Sequence, residues 1–221
     1  DLAAYGGIVL NAHVGGINPA AVLAALRSGA RVVWMPTVDS RAHARAGLAR
    51  AWDSEPRLDG STIGVPPLEP GTESEVRLVL DLVAEADAVL ATGHLSGEEI
   101  AWLVPAARRA GVRRLLLTHP GYVVPSLDLA EAAHFAGEGA VVEVTAFQLL
   151  HQAGCHAADL AGLVRAAGTD RVVLSSDAGQ EDSPPPPEAL ALLVDALAAE
   201  GIDRGALAAM TGEQPERLVV P

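Results

Sequence analysis

Short, unbroken runs of valine, isoleucine and leucine alternate with longer amphipathic stretches along most of this chain. That alternation restricts the fold more than any other feature. The runs show no in–out period of two, so each strand is expected to be buried on both faces, as in a parallel sheet covered by helices. Six strands are predicted, at about Gly7–Asn11, Arg31–Met35, Asp87–Ala91, Arg114–Leu117, Val141–Val144 and Arg171–Leu174. Between them, Asn18-Pro19 reads as an N-cap with proline at the first helical position, and Gly29 closes that helix. Thr72-x-x-Glu75 and Ser96-x-x-Glu99 read as capping boxes, and Pro105 is expected to kink the second of those helices. Further helices are expected near Leu127–Ala136, Ala157–Ala167 and Glu188–Glu200, with Asp203–Met210 and Pro215–Leu218 closing the chain. The Gly- and Pro-rich piece Leu58–Leu68 is expected to form a small hairpin or lid, and no linker marks a second domain, so residues 1–221 read as one domain.

The downstream ends of the runs carry the polar residues. Ile8-Val9-Leu10 leads to Asn11 and His13, and Val32 to Met35 leads to Thr37, Asp39 and His43. The third run ends in Thr92-Gly93-His94, the fourth in Thr118-His119-Pro120, and the last in Ser175-Ser176-Asp177. A parallel α/β fold gathers the carboxyl ends of its strands on one face, where ligands and chemistry go. Several imidazoles and a carboxylate on that face suggest a divalent metal ion, zinc or manganese by ligand type. Glu143 stands inside the apolar run Val-Val-Glu-Val-Thr, where a carboxyl must be hydrogen-bonded, and it is a candidate to orient a histidine. His151, Cys155 and His156 fit no standard zinc spacing and read better as a helix start.

Composition removes several classes. A net charge of −13 argues against a nucleic-acid partner, which needs a basic surface. All 15 basic residues are arginine, so this chain supplies no Schiff-base, P-loop or carboxylated lysine. A single cysteine, Cys155, allows no intrachain disulfide. With no leader-like start and no run of about 18 apolar residues, a soluble cytoplasmic protein with no membrane partner is expected.

The motifs Thr92-Gly93-His94, Leu117-Thr118-His119-Pro120 and Ser175-Ser176-Asp177-Ala178 resemble the later strands of the amidohydrolase superfamily, metal-dependent hydrolases on a (β/α)₈ TIM barrel. Ile8-Val9-Leu10-Asn11, Gly15-Gly16-Ile17-Asn18-Pro19 and Trp34-Met35-Pro36-Thr37 look like a small bacterial branch of it. The resemblance implies that His94 and His119, on strands five and six, bind one or two divalent ions. It also implies that Asp177, on strand eight, touches the metal and serves as the catalytic base. Asn11, His13, Thr37, Asp39, His43 and Glu143 are the candidates for substrate contact or for supporting those ligands.

The chain departs from the pattern in having no His-x-His pair and in carrying Met35-Pro36-Thr37 where a bridging lysine or glutamate often stands. Six βα units are two short of a closed barrel. Either two units precede Asp1, or the sheet is open. The expected function is metal-assisted hydrolysis of a small polar amide, lactone or phosphoester, in a chain able to form a homo-oligomer. The alternatives are a catalytically inactive barrel that binds a small ligand or partner, and an open-sheet nucleotide binder. Against the last, Gly6-Gly7 and Gly15-Gly16 make no G-x-G-x-x-G fingerprint.

Overall fold

A computed structural model describes residues 3–50 and 61–220. Six strands are present among them: β1 (Gly7–Val9), β2 (Val32–Trp34), β3 (Val89–Ala91), β4 (Arg114–Leu117), β5 (Val141–Thr145) and β6 (Val172–Ser175). The helices are α1 (Pro19–Arg27), α2 (Arg41–Arg45), α3 (Glu73–Glu85), α4 (Gly97–Arg109), α5 (Leu129–Gly137), α6 (Ala146–His151), α7 (Ala157–Ala167), α8 (Pro186–Ala199), α9 (Arg204–Thr211) and α10 (Glu213–Val219). The chain forms two compact units, residues 1–116 with 219–221, and residues 117–218.

In the first unit β1 pairs with β2, β2 with β3 and β3 with β4, all parallel, with Ile8 opposite Val33, Val33 opposite Leu90, and Leu90 opposite Leu115. Val89, Leu90 and Ala91 are fully buried, as a strand covered on both faces requires. Helix α3 packs on α1 and α4. It turns Val76, Val79, Leu80 and Val83 inward at the three- and four-residue spacing of one helical face. In the second unit β5 and β6 pair in parallel with Val144 opposite Leu174, α5 packs on α7, and α7 and α6 pack on α8.

The α/β class and the strand order read from the sequence are therefore present, with shorter strands. β3 starts at Val89 rather than Asp87 because Asp87 has left the extended region, with φ of 47°. Its carboxylate instead pairs with Arg113 and Arg114, and the Arg114 hydrogen bond holds its pKa below the usual range. β1 and β2 stop early because Asn11 and Pro36 already belong to the loops that carry the polar residues.

Ser96 and Glu99 form the expected capping box. Thr72 does not. Its hydroxyl turns toward the carbonyls of Gly64 and Glu69, and its oxygen accepts no bond from the N–H groups of the helix. α4 runs from Gly97 to Arg109 with Pro105 inside it, unbroken. Leu58–Gly60 lie outside the described residues, and Thr62–Leu68 form no hairpin: Ile63 makes one parallel bridge to Ser40. No described helix is long and apolar enough to cross a membrane.

Candidate active site

In the first unit the loops after β1 and β2 are tied together by the residues that the sequence singled out. The Asn11 amide donates to Thr37 Oγ1 at 2.8 Å, and Asn11 Oδ1 accepts from the backbone N–H of Thr37 at 2.8 Å and of Asp39 at 3.4 Å. Asp39, fully buried, accepts from the Ala12 N–H at 2.8 Å and pairs with Arg50 at 3.0 Å. The polar atoms of Asn11 and Asp39 are thus engaged in holding two loops in register. His13 is exposed on the single 3₁₀ turn Ala12–Val14.

His43, on α2, is 5% exposed and meets His94. The two Nδ1 atoms are 2.8 Å apart, and His43 Nε2 lies 2.9 Å from the Ala49 carbonyl oxygen. Ser40, the N-cap of α2, ties the same two residues: its hydroxyl accepts from the His43 N–H at 3.0 Å and donates to the His94 carbonyl at 2.7 Å. Gly93 allows His94 to reach this place. Its φ is +57°, and a Cβ there would stand 2.3 Å from Met35 O and 2.7 Å from Pro36 O.

In the second unit His119, Glu143 and Asp177 act on one another. Glu143 Oε1 accepts the Ser175 hydroxyl at 2.8 Å, and its carboxyl also accepts the backbone N–H of His119. Burial, reinforced by the charge of Asp177, raises the Glu143 pKa to about 7 against those two hydrogen bonds. Asp177 is exposed at the surface, yet the protein around its carboxylate removes enough hydration to raise its pKa to about 6. Tyr122 packs edge-on against His119 with 5.0 Å between ring centres, and burial and the charge of Asp177 push its hydroxyl pKa up. Phe147 backs Tyr122 at 5.5 Å.

Both His119 and Asp177 have positive φ, 26° and 49°. Side chains other than glycine rarely adopt that region, which costs of order 1–3 kcal/mol unless the surroundings hold it. At neutral pH the pair has room for one proton more readily than none, since burial and mutual repulsion oppose two charges. Such a pair can take a proton from water and return it elsewhere.

Tyr122, Ser175 and Ser40 were not singled out from the sequence. Ser175 was visible as the residue ending the last run, and Tyr122 as the aromatic residue after the Pro-Gly turn that follows His119. Ser40 was visible only as an N-cap preceding His43. His151, passed over as a metal ligand, bonds Ser183 at 2.8 Å, and the His156 N–H is capped by Asp159 at the start of α7.

A metal centre asks for at least three protein donors about one point. Among the described residues no three His, Cys, Asp or Glu side chains are so grouped. The described residues therefore do not by themselves make the ion site that the resemblance implies.

A family model described as a family of unknown function, DUF6282, matches residues 1–143 of the 221. The chain belongs to that family. No curated protein matches it. Among solved structures, this DUF6282 chain is similar to an organophosphorus hydrolase from Deinococcus radiodurans, at 14% identity and a TM-score of 0.59, over 92% of this chain and 63% of that one. It is also similar to an amidohydrolase from Pseudomonas aeruginosa, at 14% identity and 0.62, over 96% and 70%. A third is a β-aspartyl dipeptidase from Fervidobacterium islandicum, at 16% identity and 0.51, over 87% and 65%. At such identities the likeness is one of fold, that of the amidohydrolase α/β barrels. The chain spans a little under two thirds of the organophosphorus hydrolase's length.

Proposed function

We propose that this chain is a hydrolase of the amidohydrolase kind, acting on an amide, lactone or phosphoester of a small polar molecule. One observation carries the reading: Asp177 and Glu143 form a carboxylate pair beside His119, with His119 and Asp177 held in strained backbone at the ends of their strands. Asp177, the more acidic partner, takes a proton from the attacking water as the new bond to the carbonyl or phosphoryl centre forms. It gives that proton to the leaving nitrogen or oxygen as the old bond breaks. Glu143 holds the pair in register through Ser175 and the His119 backbone, and Tyr122 covers the His119 ring.

The fold likeness to hydrolases supports the reaction class. No step above passes through a divalent ion, since no three donors are grouped for one among the described residues. The test is turnover on a panel of amides, lactones and phosphoesters, with and without added zinc or manganese, together with elemental analysis. Asp177→Asn should abolish most of any activity. A protein that holds no metal and hydrolyses nothing on the panel is instead a barrel that binds a small ligand.

A further inference from the structure

We propose that the cavity between the start of α5, α7 and the end of α6 binds a small uncharged molecule, a primary carboxamide or a urea on an apolar body. His119, Glu143 and Asp177 do not line this cavity, so its occupant is independent of the hydrolase reading. Its volume is about 360 Å³, within the roughly 300–1,000 Å³ of small-molecule sites. Leu127, Leu129, Leu160 and Leu163 make an apolar wall, and Gly121 and Gln152 stand in a polar one. Two amides meet at that polar wall, Gln148 within α6 and Gln152 one turn later at its C-cap. Gln148 is fully buried, and its Oε1 accepts the Thr145 N–H at 3.1 Å. Gln152 donates from Nε2 to the Gly121 carbonyl at 3.2 Å. Those bonds fix which end of each amide is oxygen, since turning either over would set donor against donor or acceptor against acceptor. The other ends, Gln148 Nε2 and Gln152 Oε1, are buried and have no hydrogen-bond partner among the described residues.

Buried donors and acceptors left unmet oppose folding, so one of each in the same wall calls for an occupant. Gly121 supplies the way in. Its φ lies outside the left-handed region, so the backbone does not ask for glycine there. A Cβ on it would stand 3.5 Å from Gln148 Nε2 and 3.5 Å from Leu163 Cδ2. The missing Cβ leaves an opening between the leucine wall and the unmet Gln148 donor. A molecule seated there accepts from Gln148 Nε2 and donates to Gln152 Oε1. Charge narrows the choice further. Asp128 and Asp159 line the cavity and no arginine or histidine does, so carboxylates and phosphates are repelled. An ammonium group has donors only and leaves Gln148 Nε2 unmet. Water meets both amides but gains nothing from the four leucines. A carboxamide or urea presents donor and acceptor side by side, uncharged, and its apolar body covers the leucine wall.

Titration of the full chain with benzamide, phenylurea, N,N-dimethylbenzamide and benzoate, followed in ¹H–¹⁵N spectra, tests the site. Benzamide or phenylurea should bind saturably and shift the side-chain NH₂ signals of Gln148 and Gln152. N,N-dimethylbenzamide, which has no N–H, and benzoate, which is charged, should each bind at least about tenfold more weakly, the worth of one hydrogen bond to a buried partner. Gly121→Ala sets a methyl group into the opening at ordinary contact distance. It should keep the parent's unfolding midpoint and lose about tenfold or more in affinity for benzamide or phenylurea. Cys155, the chain's single cysteine, also lines the cavity, so a bound probe should slow its alkylation by iodoacetamide in the unaltered protein. Should Gly121→Ala fail to fold, that protection and the ranking of the four probes decide. The proposal is overturned if neither benzamide nor phenylurea shifts the two amides, if both bind no better than benzoate, if Cys155 is not protected, or if a folded Gly121→Ala binds as the parent does. Water alone then fills the cavity. None of these readings uses turnover, so a protein that binds benzamide here and hydrolyses nothing sinks only the hydrolase reading.

Discussion

Replacing Glu143 by Gln should make the protein more stable at alkaline pH and slightly less stable in acid. Burial and the charge of Asp177 raise the Glu143 pKa from an ordinary 4.5 to about 7. The folded protein therefore binds this proton more tightly than the unfolded chain does. Wherever the native state binds more protons, stability falls as pH rises. Below the unfolded value Glu143 is protonated in both states and contributes no penalty. Between about pH 4.5 and 7 the penalty accumulates, and above that it is constant. At about 1.4 kcal/mol for each tenfold change in proton affinity, its full size is about 3 kcal/mol.

Glutamine never ionises, so it never meets that penalty. It keeps the acceptor for the Ser175 hydroxyl, while the second bond, from the His119 N–H, is weakened or lost at a cost of about 1 kcal/mol. That loss is nearly independent of pH. The offset between variant and parent thus reports hydrogen bonds, and only its growth with pH reports the buried charge. Urea or thermal unfolding at pH 4 and pH 8.5 measures both. The stability difference should grow in favour of Glu143→Gln by about 3 kcal/mol between the two, which for a chain of this size is roughly 6–12 °C in midpoint. In an Asp177→Asn background the growth should be smaller but not zero, since burial remains when the neighbouring charge is removed. Parallel stability profiles for parent and variant would refute the reasoning, because Glu143 would then ionise at its ordinary pH.

Asp177→Asn should cut hydrolysis of any substrate found by about 10²–10⁴-fold, the usual worth of a general base, while circular dichroism stays unchanged. Gly93→Ala should destabilise by about 2–4 kcal/mol in urea melts, since the new Cβ meets two carbonyl oxygens in a backbone conformation that alanine resists. Glu99→Ala should cost a similar amount, about 2–4 kcal/mol, because this buried carboxylate accepts from the N–H groups of Val65 and Ser96 and from the Ser96 hydroxyl. Glu99→Gln, which keeps one acceptor, should lie between parent and alanine variant.

The strands were legible because burial on both faces leaves a run of apolar residues that no other element of that length shows. Their ends were less so. Asp87 reads as the first residue of a strand, yet Arg114 at the start of β4 and Arg113 just before it pair with Asp87 in a left-handed turn, and such pairing lies beyond any local pattern. Thr72-x-x-Glu75 has the form of a capping box, but the carbonyls of Gly64 and Glu69 compete for the hydroxyl. Ser96-x-x-Glu99 met no such competition. The difference between the two lies in what folded beside them.

The candidate site divides along the same line. Glu143 was visible because a carboxylate inside Val-Val-Glu-Val-Thr has no innocent explanation, and its raised pKa follows from that burial. Asn11, Thr37 and Asp39 were visible as polar residues after strands, but only the structure reveals that they bind one another. The link between His43 and His94 spans 51 positions of sequence and leaves no trace in composition. Backbone strain at His119 and Asp177 is nearly as silent in the sequence, since histidine and aspartate adopt a positive φ more often than most residues but far less often than glycine. It is nonetheless the more telling observation. Strained backbone at His119 and Asp177 and a buried carboxylate that resists ionisation each oppose folding, and they fall within one set of interacting side chains. A scaffold that needed only to pack would relieve both with a glycine and an apolar residue. Local rules broken together at one place, amid packing that otherwise obeys them, mark where a protein has given up stability for chemistry.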